Sequence, residues 1–237
     1  MARVLIIPDT QAPFQHRDAL LFLVAVNENF GCEQAVHIGD EFDFYALSAY
    51  EKTPEAMGFP EEFKRAMVFM NGLYKEFPNT KVCVSNHTWR PYRTAKAVGI
   101  HSMFMQKISE VAKAPKGWQW AERWEIDGVL YEHGHELKGS TSTLHRNAYL
   151  DRQQSVVFGH HHHIFGTQWH RAKSLKYHRY FTMGVGCLIN EKAYAFQYEQ
   201  GPKGVQLGCG VVLNQRPVCV PMKLTKSGRW DVTQKFF

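Results

Sequence analysis

Five apolar runs in this chain each end abruptly in residues with oxygen or imidazole donors. Val4-Leu5-Ile6-Ile7-Pro8 runs into Asp9-Thr10-Gln11, and Ala35-Val36-His37-Ile38 runs into Gly39-Asp40-Glu41-Phe42-Asp43. Val82-Cys83-Val84-Ser85 meets Asn86-His87, and Val129-Leu130-Tyr131-Glu132 meets His133-Gly134-His135. The fifth run, Val156-Val157-Phe158, enters Gly159-His160-His161-His162-His163. Short apolar runs bounded by turn formers predict buried strands. Polar groups that follow such strands collect at the carboxyl edge of an α/β sheet. A single Asp there is more often a helix cap or turn former than a ligand. Five strand ends loaded in this way point instead to one sheet edge carrying a site.

The histidine run is internal, which separates it from an affinity tag. A solvated His-rich loop is the plain alternative. His160 and His162 are two apart, so on extended chain they share a face; at the tip of a turn they could reach two metals. Carboxylate, amide and imidazole without paired thiolates suit Mn, Fe, Zn or similar ions.

The pattern between these motifs predicts strands at 3–8, 34–39 and 81–85, alternating with helices near 17–30 and 60–77. That βαβ rhythm predicts a sheet with parallel strands. A further helix is expected from Val98 to Lys113, then strands near 124–133 and 155–159 flanking a helix from about 140 to 152. Beyond residue 164, strand-like runs at 165–171, 179–185, 205–213 and 218–224 suggest a second, largely antiparallel sheet. Residues 44–60 form an insertion between two motifs, either a lid or a surface excursion. No linker, repeat or low-complexity tract divides the chain, so residues 1–237 are expected to form a single domain.

In order, the motifs read D-x-Q, G-D-x-x-D, N-H, H-G-H and G-H-x-H. This set resembles the calcineurin-like metallophosphoesterase superfamily, and within it most resembles stand-alone bacterial or phage members. The resemblance implies an α/β/β/α sandwich of two stacked sheets with outer helices. It also implies two divalent metal ions and a phosphate-ester substrate. Asp40 would bridge the metals. Asp9 and His162 would hold the first, with Gln11 in place of the usual His, while Asn86, His133 and His160 would hold the second. His87 would act at the leaving oxygen, and Asp43 would orient His87 or support the shell around the metals. Manganese is the favoured ion, with Fe, Zn, Ni or Mg as alternatives. Three positions depart from the pattern: Gln11, Ser85 where Gly is usual, and Thr88 where an acid is usual. His16 is near enough in sequence to stand in for Gln11, although a helix-entry role suits it better.

These residue types fit the chemistry in their own right. Two cations about 3.5–4 Å apart clamp a phosphate and lower the pKa of a bridging water. A carboxylate offsets two neighbouring cations, and neutral imidazoles and an amide complete their shells without repelling the anionic substrate. The expected function is a metal-dependent phosphoesterase acting on phosphodiesters or phosphomonoesters, with nucleic acids or nucleotides as the substrate class. The alternatives are a small-substrate phosphomonoesterase or cyclic-nucleotide phosphodiesterase, and a degenerate, non-catalytic binding scaffold.

The formal net charge is +6. Basic residues gather at Arg90, Arg93 and Lys96, and again at Arg171, Lys173, Lys176 and Arg179 among Trp169, Tyr177 and Tyr180. Cations interleaved with aromatics suit a polyanion with stackable bases, making DNA or RNA candidate partners; an ordinary solvated basic face is the alternative. Both clusters are expected to border the metals. No apolar run approaches the ~18 residues of a membrane span, and the apolar part of MARVLIIPDT is too short for a signal peptide. Five cysteines without a C-x-x-C motif read as core residues of a reduced, cytoplasmic protein. The closing Lys235-Phe236-Phe237 would either meet a partner or finish the core.

Overall fold

The computed structural model describes residues 1–171, 179–199 and 204–236. Lys173, Lys176 and Tyr177 of the second basic cluster, and the terminal Phe237, lie outside the described residues. The first half alternates as expected: β1 (Arg3–Ile7), α1 (Ala19–Phe30), β2 (Gln34–His37), α2 (Phe59–Glu76), β3 (Thr80–Cys83), α3 (Arg90–Ala97), α4 (Ile108–Val111) and β4 (Trp118–Ala121). There follow β5 (Arg123–Ile126), β6 (Val129–Glu132), α5 (Leu144–Arg152), β7 (Ser155–Phe158), β8 (Phe165–Arg171), β9 (Arg179–Val185), β10 (Gly208–Leu213) and β11 (Arg216–Pro221).

Among the described residues the strands form two sheets, ordered β11-β10-β1-β2-β3-β4 and β5-β6-β7-β9-β8. The alternation of side chains along β1 shows how they stack. Val4 and Ile6 point one way, into a cluster with Val36, Ile38, Tyr131, Val157, Met183 and Val185, which fills the space between the sheets. Leu5 and Ile7 point the other way, beneath Phe22, Leu23 and Val26 of α1 and Met70 and Leu73 of α2. On the far side, Leu144 and Ala148 of α5 cover Leu130, Val156 and Phe158. The layer order is therefore α/β/β/α.

Three elements differ from the sequence expectation. β10 and β11 do not build a second sheet but return to the first, where β10 pairs antiparallel with β1. The second sheet keeps a parallel centre, β6-β7-β9, with antiparallel β5 and β8 at its edges. The sequence carries no mark of which sheet a strand joins, because both have apolar inner faces. The helix expected at 98–113 shrinks to the single turn α4, whose Ile108 packs on the core with Ala112. Gly99, at φ +78°, ends the turn after α3, and Val98, Met103 and Phe104 face solvent, so no core holds residues 98–107 in a helix. The longer helix is α3, earlier in the chain, which the apolar pattern overlooked because its own residues are polar. Finally, the strand near 124–133 is a hairpin, turned at Asp127-Gly128 with both residues at positive φ.

The C-terminal segment finishes the core. Phe236 stacks on Trp230 and packs edge-on against Phe22 of α1. Asp18, just before α1, holds this segment through two contacts with Arg229 at 2.8 and 2.6 Å and by accepting the Trp230 N–H at 2.9 Å. All five cysteines are thiols, none of them in a disulfide. No helix among the described residues is long and apolar enough to cross a membrane.

Candidate metal centre

The carboxyl ends of β1, β2 and β3 and those of β6 and β7 converge on one point. The first sheet delivers Asp9, Asp40 and Asn86, and the second delivers His133, His160 and His162. Two groups of donor atoms lie close enough to share a cation: Asp9, Asp40 and His162, and Asp40, His133 and His160. Asp40 belongs to both. Asn86 joins the second group, its Oδ1 2.9 Å from His133 Nε2.

Backbone conformation sets these side chains. Gln11, Asp40 and His160 all lie at positive φ (45°, 50° and 63°), a conformation held against its cost by local hydrogen bonds. The Gln11 N–H donates to the Asp40 carbonyl at 2.8 Å, and the His160 N–H donates to Asp9 Oδ2 at 2.9 Å. Gly39, at φ +114°, has no alternative residue: a Cβ there would lie 2.6 Å from His133 Nδ1. That nitrogen stands 3.1 Å from the Ile38 carbonyl, so it carries the proton and leaves Nε2 to face the donors. Behind Asp9 and Asp40, His37 Nε2 meets Thr10 Oγ1 at 3.2 Å, and the Thr10 hydroxyl donates to the Glu41 carbonyl.

Two of the sequence departures compensate each other. Ser85 and Thr88 close a reciprocal turn in which Thr88 N–H donates to Ser85 Oγ at 3.1 Å and Ser85 N–H donates to Thr88 Oγ1 at 3.2 Å. Asn86 and His87 are displayed at its tip. His16 does not stand in for Gln11. Its Nδ1 accepts the Asp18 N–H and its Nε2 meets the Gly228 carbonyl, a helix-entry role. Gln11 itself, 1% exposed, places its amide nitrogen 3.2 Å from Asp40 Oδ2 and 3.3 Å from His162 Nε2. Its carbonyl oxygen has no hydrogen-bond partner among the described residues.

The electrostatics call for positive charge. Asp9 and Asp40 are completely or almost completely buried. Burial pushes the Asp9 carboxyl up, and Asp9 Oδ1 has no hydrogen-bond donor among the described residues. Burial works against the Asp40 carboxylate too, yet His133 and His87 hold it well below the usual range. For His133, burial favours the neutral ring, but Asp40 and Asp9 outweigh it and raise the imidazole to about 9. Buried carboxylates, an unpartnered carboxylate oxygen and an imidazole drawn toward its cationic form fit a centre for divalent cations.

His87 lies beside these donors, its Nε2 3.8 Å from Asp40 Oδ2. Burial lowers it to about 3, so its ring is neutral. Asp43 Oδ1 is 4.0 Å from His87 Nδ1, beyond hydrogen-bond reach. It is engaged instead by Arg90, whose Nη1 donates to its Oδ1 at 2.8 Å and to its carbonyl at 2.7 Å. Asp43 thus fixes Arg90, and α3 with it, beside His87.

The site opens into a cavity of about 910 Å³ lined by Asp40, His87, Arg90 and His162 on one side and by Tyr45, Tyr50 and Lys52 on the other. The 44–60 insertion is therefore the cavity wall. Glu62 of α2 secures it, its carboxylate accepting the N–H groups of Tyr45 and Ala46, both at 2.7 Å. Sequence placed Tyr45 and Tyr50 in this insertion but did not single out Glu62, since a Glu in a helical run ordinarily reads as a solvated face. Of the basic clusters, the first borders the centre through Arg90. Arg171 pairs with Arg179 at one end of β8–β9, whereas Phe165 pairs with Val185 at the end beside the histidines. Six residues of strand put Arg171 and Arg179 about 20 Å away.

No family model matches the chain, and no curated protein matches its sequence. Among solved structures, YfcE, a phosphoesterase from E. coli, is similar over 90% of this chain and 88% of its own, at 13% identity and a TM-score of 0.45. Vps29 from Chaetomium thermophilum covers 98% of this chain and 94% of its own, at 9% identity and a TM-score of 0.48. Vacuolar Protein Sorting 29 from Cryptosporidium parvum covers 92% and 94%, at 10% identity and a TM-score of 0.40.

Proposed function

We propose that this protein is a metal-dependent phosphoesterase that hydrolyses phosphodiester or phosphomonoester bonds, with nucleic acids or nucleotides as its substrate class. The observation that carries this proposal is the pair of donor groups sharing Asp40, with an uncoordinated, buried His87 beside them on a cavity floor. Asp9, Gln11, Asp40 and His162 would hold one divalent cation, and Asp40, Asn86, His133 and His160 the other. Such a pair polarises phosphate oxygens and makes water a nucleophile at neutral pH. Manganese is the ion of choice for assay.

The chain's own residues supply the rest. Asp40 offsets charge at both positions, and the imidazoles and the Asn86 amide add none, so the centre stays receptive to an anion. His87, whose ring burial keeps neutral, would have to take up a proton, which a bound phosphate anion favours, before it could protonate the leaving oxygen. A positioned acid of this kind contributes roughly 10²–10⁴-fold. Arg90 commits Nη1 to Asp43 and lines the cavity, where its remaining donors can meet non-bridging phosphate oxygens. The wall from Tyr45 to Pro54 leaves room for much more than a phosphate.

One observation favours a second reading, a binding scaffold with a single cation: the Gln11 amide nitrogen occupies the space between Asp40 and His162. Chelated protein reloaded with Mn²⁺ separates the two. Two bound ions with metal-dependent turnover of bis-p-nitrophenyl phosphate, or of p-nitrophenyl phosphate if monoesters are preferred, support the phosphoesterase. One ion or none, with neither ester turned over, refutes it.

A further inference from the structure

The chain from Phe77 to Ser109 contains no Asp or Glu but carries Lys81, Arg90, Arg93, Lys96 and Lys107. This acid-free stretch leads out of the metal centre. It begins beyond α2, passes through His87 and forms the α3 side of the cavity mouth. Trp89, two residues after His87, is 43% exposed and packs edge-on against Tyr92 at 5.3 Å. Arg93 turns back and donates to the Asn86 carbonyl at 2.8 Å. Lys96 follows one turn later, exposed. Across the cavity, Tyr50 is 78% exposed and Lys52 stands two residues on. The two walls are tied together, since Arg90 binds Asp43 and the Thr94 hydroxyl donates to the Leu47 carbonyl at 3.4 Å. On one side α3, whose Arg90 lines the cavity, adjoins Trp89 and carries Arg93 and Lys96; on the other, the lining holds Tyr50 and Lys52 with Glu51 between them.

We propose that this mouth binds a single nucleic-acid strand, with Trp89 and Tyr50 as stacking platforms and Arg93, Lys96 and Lys52 as phosphate contacts. The inference rests on the phosphoesterase reading for its purpose but not for its geometry. Apolar substrates or small phosphates have no use for a track of cations, whereas a polyanion with planar bases matches both halves of it. Stacking on ring faces reads no base edge, so binding would be tolerant of sequence. Three phosphate contacts on a single strand predict a log–log salt slope of about −2.1, or nearly 20-fold weaker binding from 50 to 200 mM salt.

The test is fluorescence anisotropy of a labelled 15-nucleotide oligothymidine and its RNA counterpart, using the full chain as purified. Wild type should bind both strands with that salt slope, and a 15-base-pair duplex less well. Trp89→Ala should weaken binding roughly 5- to 100-fold at unchanged slope, as lost stacking does. Lys96→Gln should flatten the slope by about 0.7. Both variants should keep the melting temperature and Mn²⁺ stoichiometry of wild type, which shows them folded. Strand binding that neither variant alters, or an absence of salt-dependent binding, overturns the inference. If strand binding follows these signatures but no ester is hydrolysed, the surface stands and the phosphoesterase reading falls.

Discussion

Gly159 sits over the metal centre with no room for a side chain. A Cβ at this position would stand 2.4 Å from Asp9 Oδ1 and 2.5 Å from Ile38 Cγ2. Each is about 1 Å short of ordinary contact. Neither neighbour can easily give way. Ile38 is fully buried between the sheets, and Asp9 is gripped through Oδ2 by the His160 N–H and by His162. The φ of Gly159 is not in the left-handed region, so a substitution meets steric cost alone. Gly159→Ala should therefore destabilise the protein by about 1–3 kcal/mol, the usual range for overpacking. For a chain of this size that corresponds to a melting temperature lower by roughly 2–12 °C. The same displacement moves Asp9 off its donor position, so Mn²⁺ stoichiometry should fall from two to one while the protein is still folded. Calorimetry gives the first quantity, and metal analysis of protein held well below its melting point gives the second. A Gly159→Ala chain that melts with wild type and keeps two ions would show that Asp9 is not positioned in this way.

Other substitutions separate the roles within the site. His87→Ala should keep both ions and slow turnover by roughly 10²–10⁴-fold; metal loss in this variant would make His87 a ligand. Asp40→Asn should abolish turnover and lower occupancy at both positions, measured by the same metal analysis. Gln11→His replaces an amide that donates to Asp40 with a nitrogen donor, so the weaker of two Mn²⁺ affinities should tighten on the order of tenfold in calorimetric titration. Asp18 tests the fold away from the metals. Its contacts with Arg229, with the Trp230 N–H adding to them, lower its carboxyl to about 2 against burial. A depressed carboxyl contributes stability that is present above its unfolded value and fades as pH falls toward the folded one. In urea, Asp18→Asn should thus be less stable than wild type above about pH 4, with the gap closing between about pH 4 and 2. A gap that does not change with pH would assign the tether to packing of Trp230 alone.

How much the sequence disclosed depended on how local the cause was. Strand ends followed by donors are local, and Asp9, Asp40, Asn86, His133, His160 and His162 all arrive at one point. Sheet membership is not local. The sequence of β10 fits either sheet, and only its pairing with β1 decides between them. Val98, Ile100, Met103 and Phe104 mimic a helix face, yet Gly99 and the absence of an underlying core leave them exposed. Ser85 and Thr88 read singly as departures from a pattern, whereas as a pair they complete a turn. Glu62 was invisible because its partners, two backbone N–H groups, have no signature in sequence.

The two sheets meet the metal centre from opposite sides. Each candidate cation position draws carboxylate or amide donors from the first sheet and imidazoles from the second, with Gln11 alongside Asp9 and Asp40. Apolar side chains between layers resist separation but tolerate sliding, because dispersion contacts have little direction. Coordination is directional, so ions at this seam would act as rivets against shear between the layers. Filling them also draws the whole molecule toward its native form by mass action, by about 2.7 kcal/mol for each ion at a hundredfold excess over its Kd. Metal supply would then set not only whether this protein is active but how long the assembled sandwich survives.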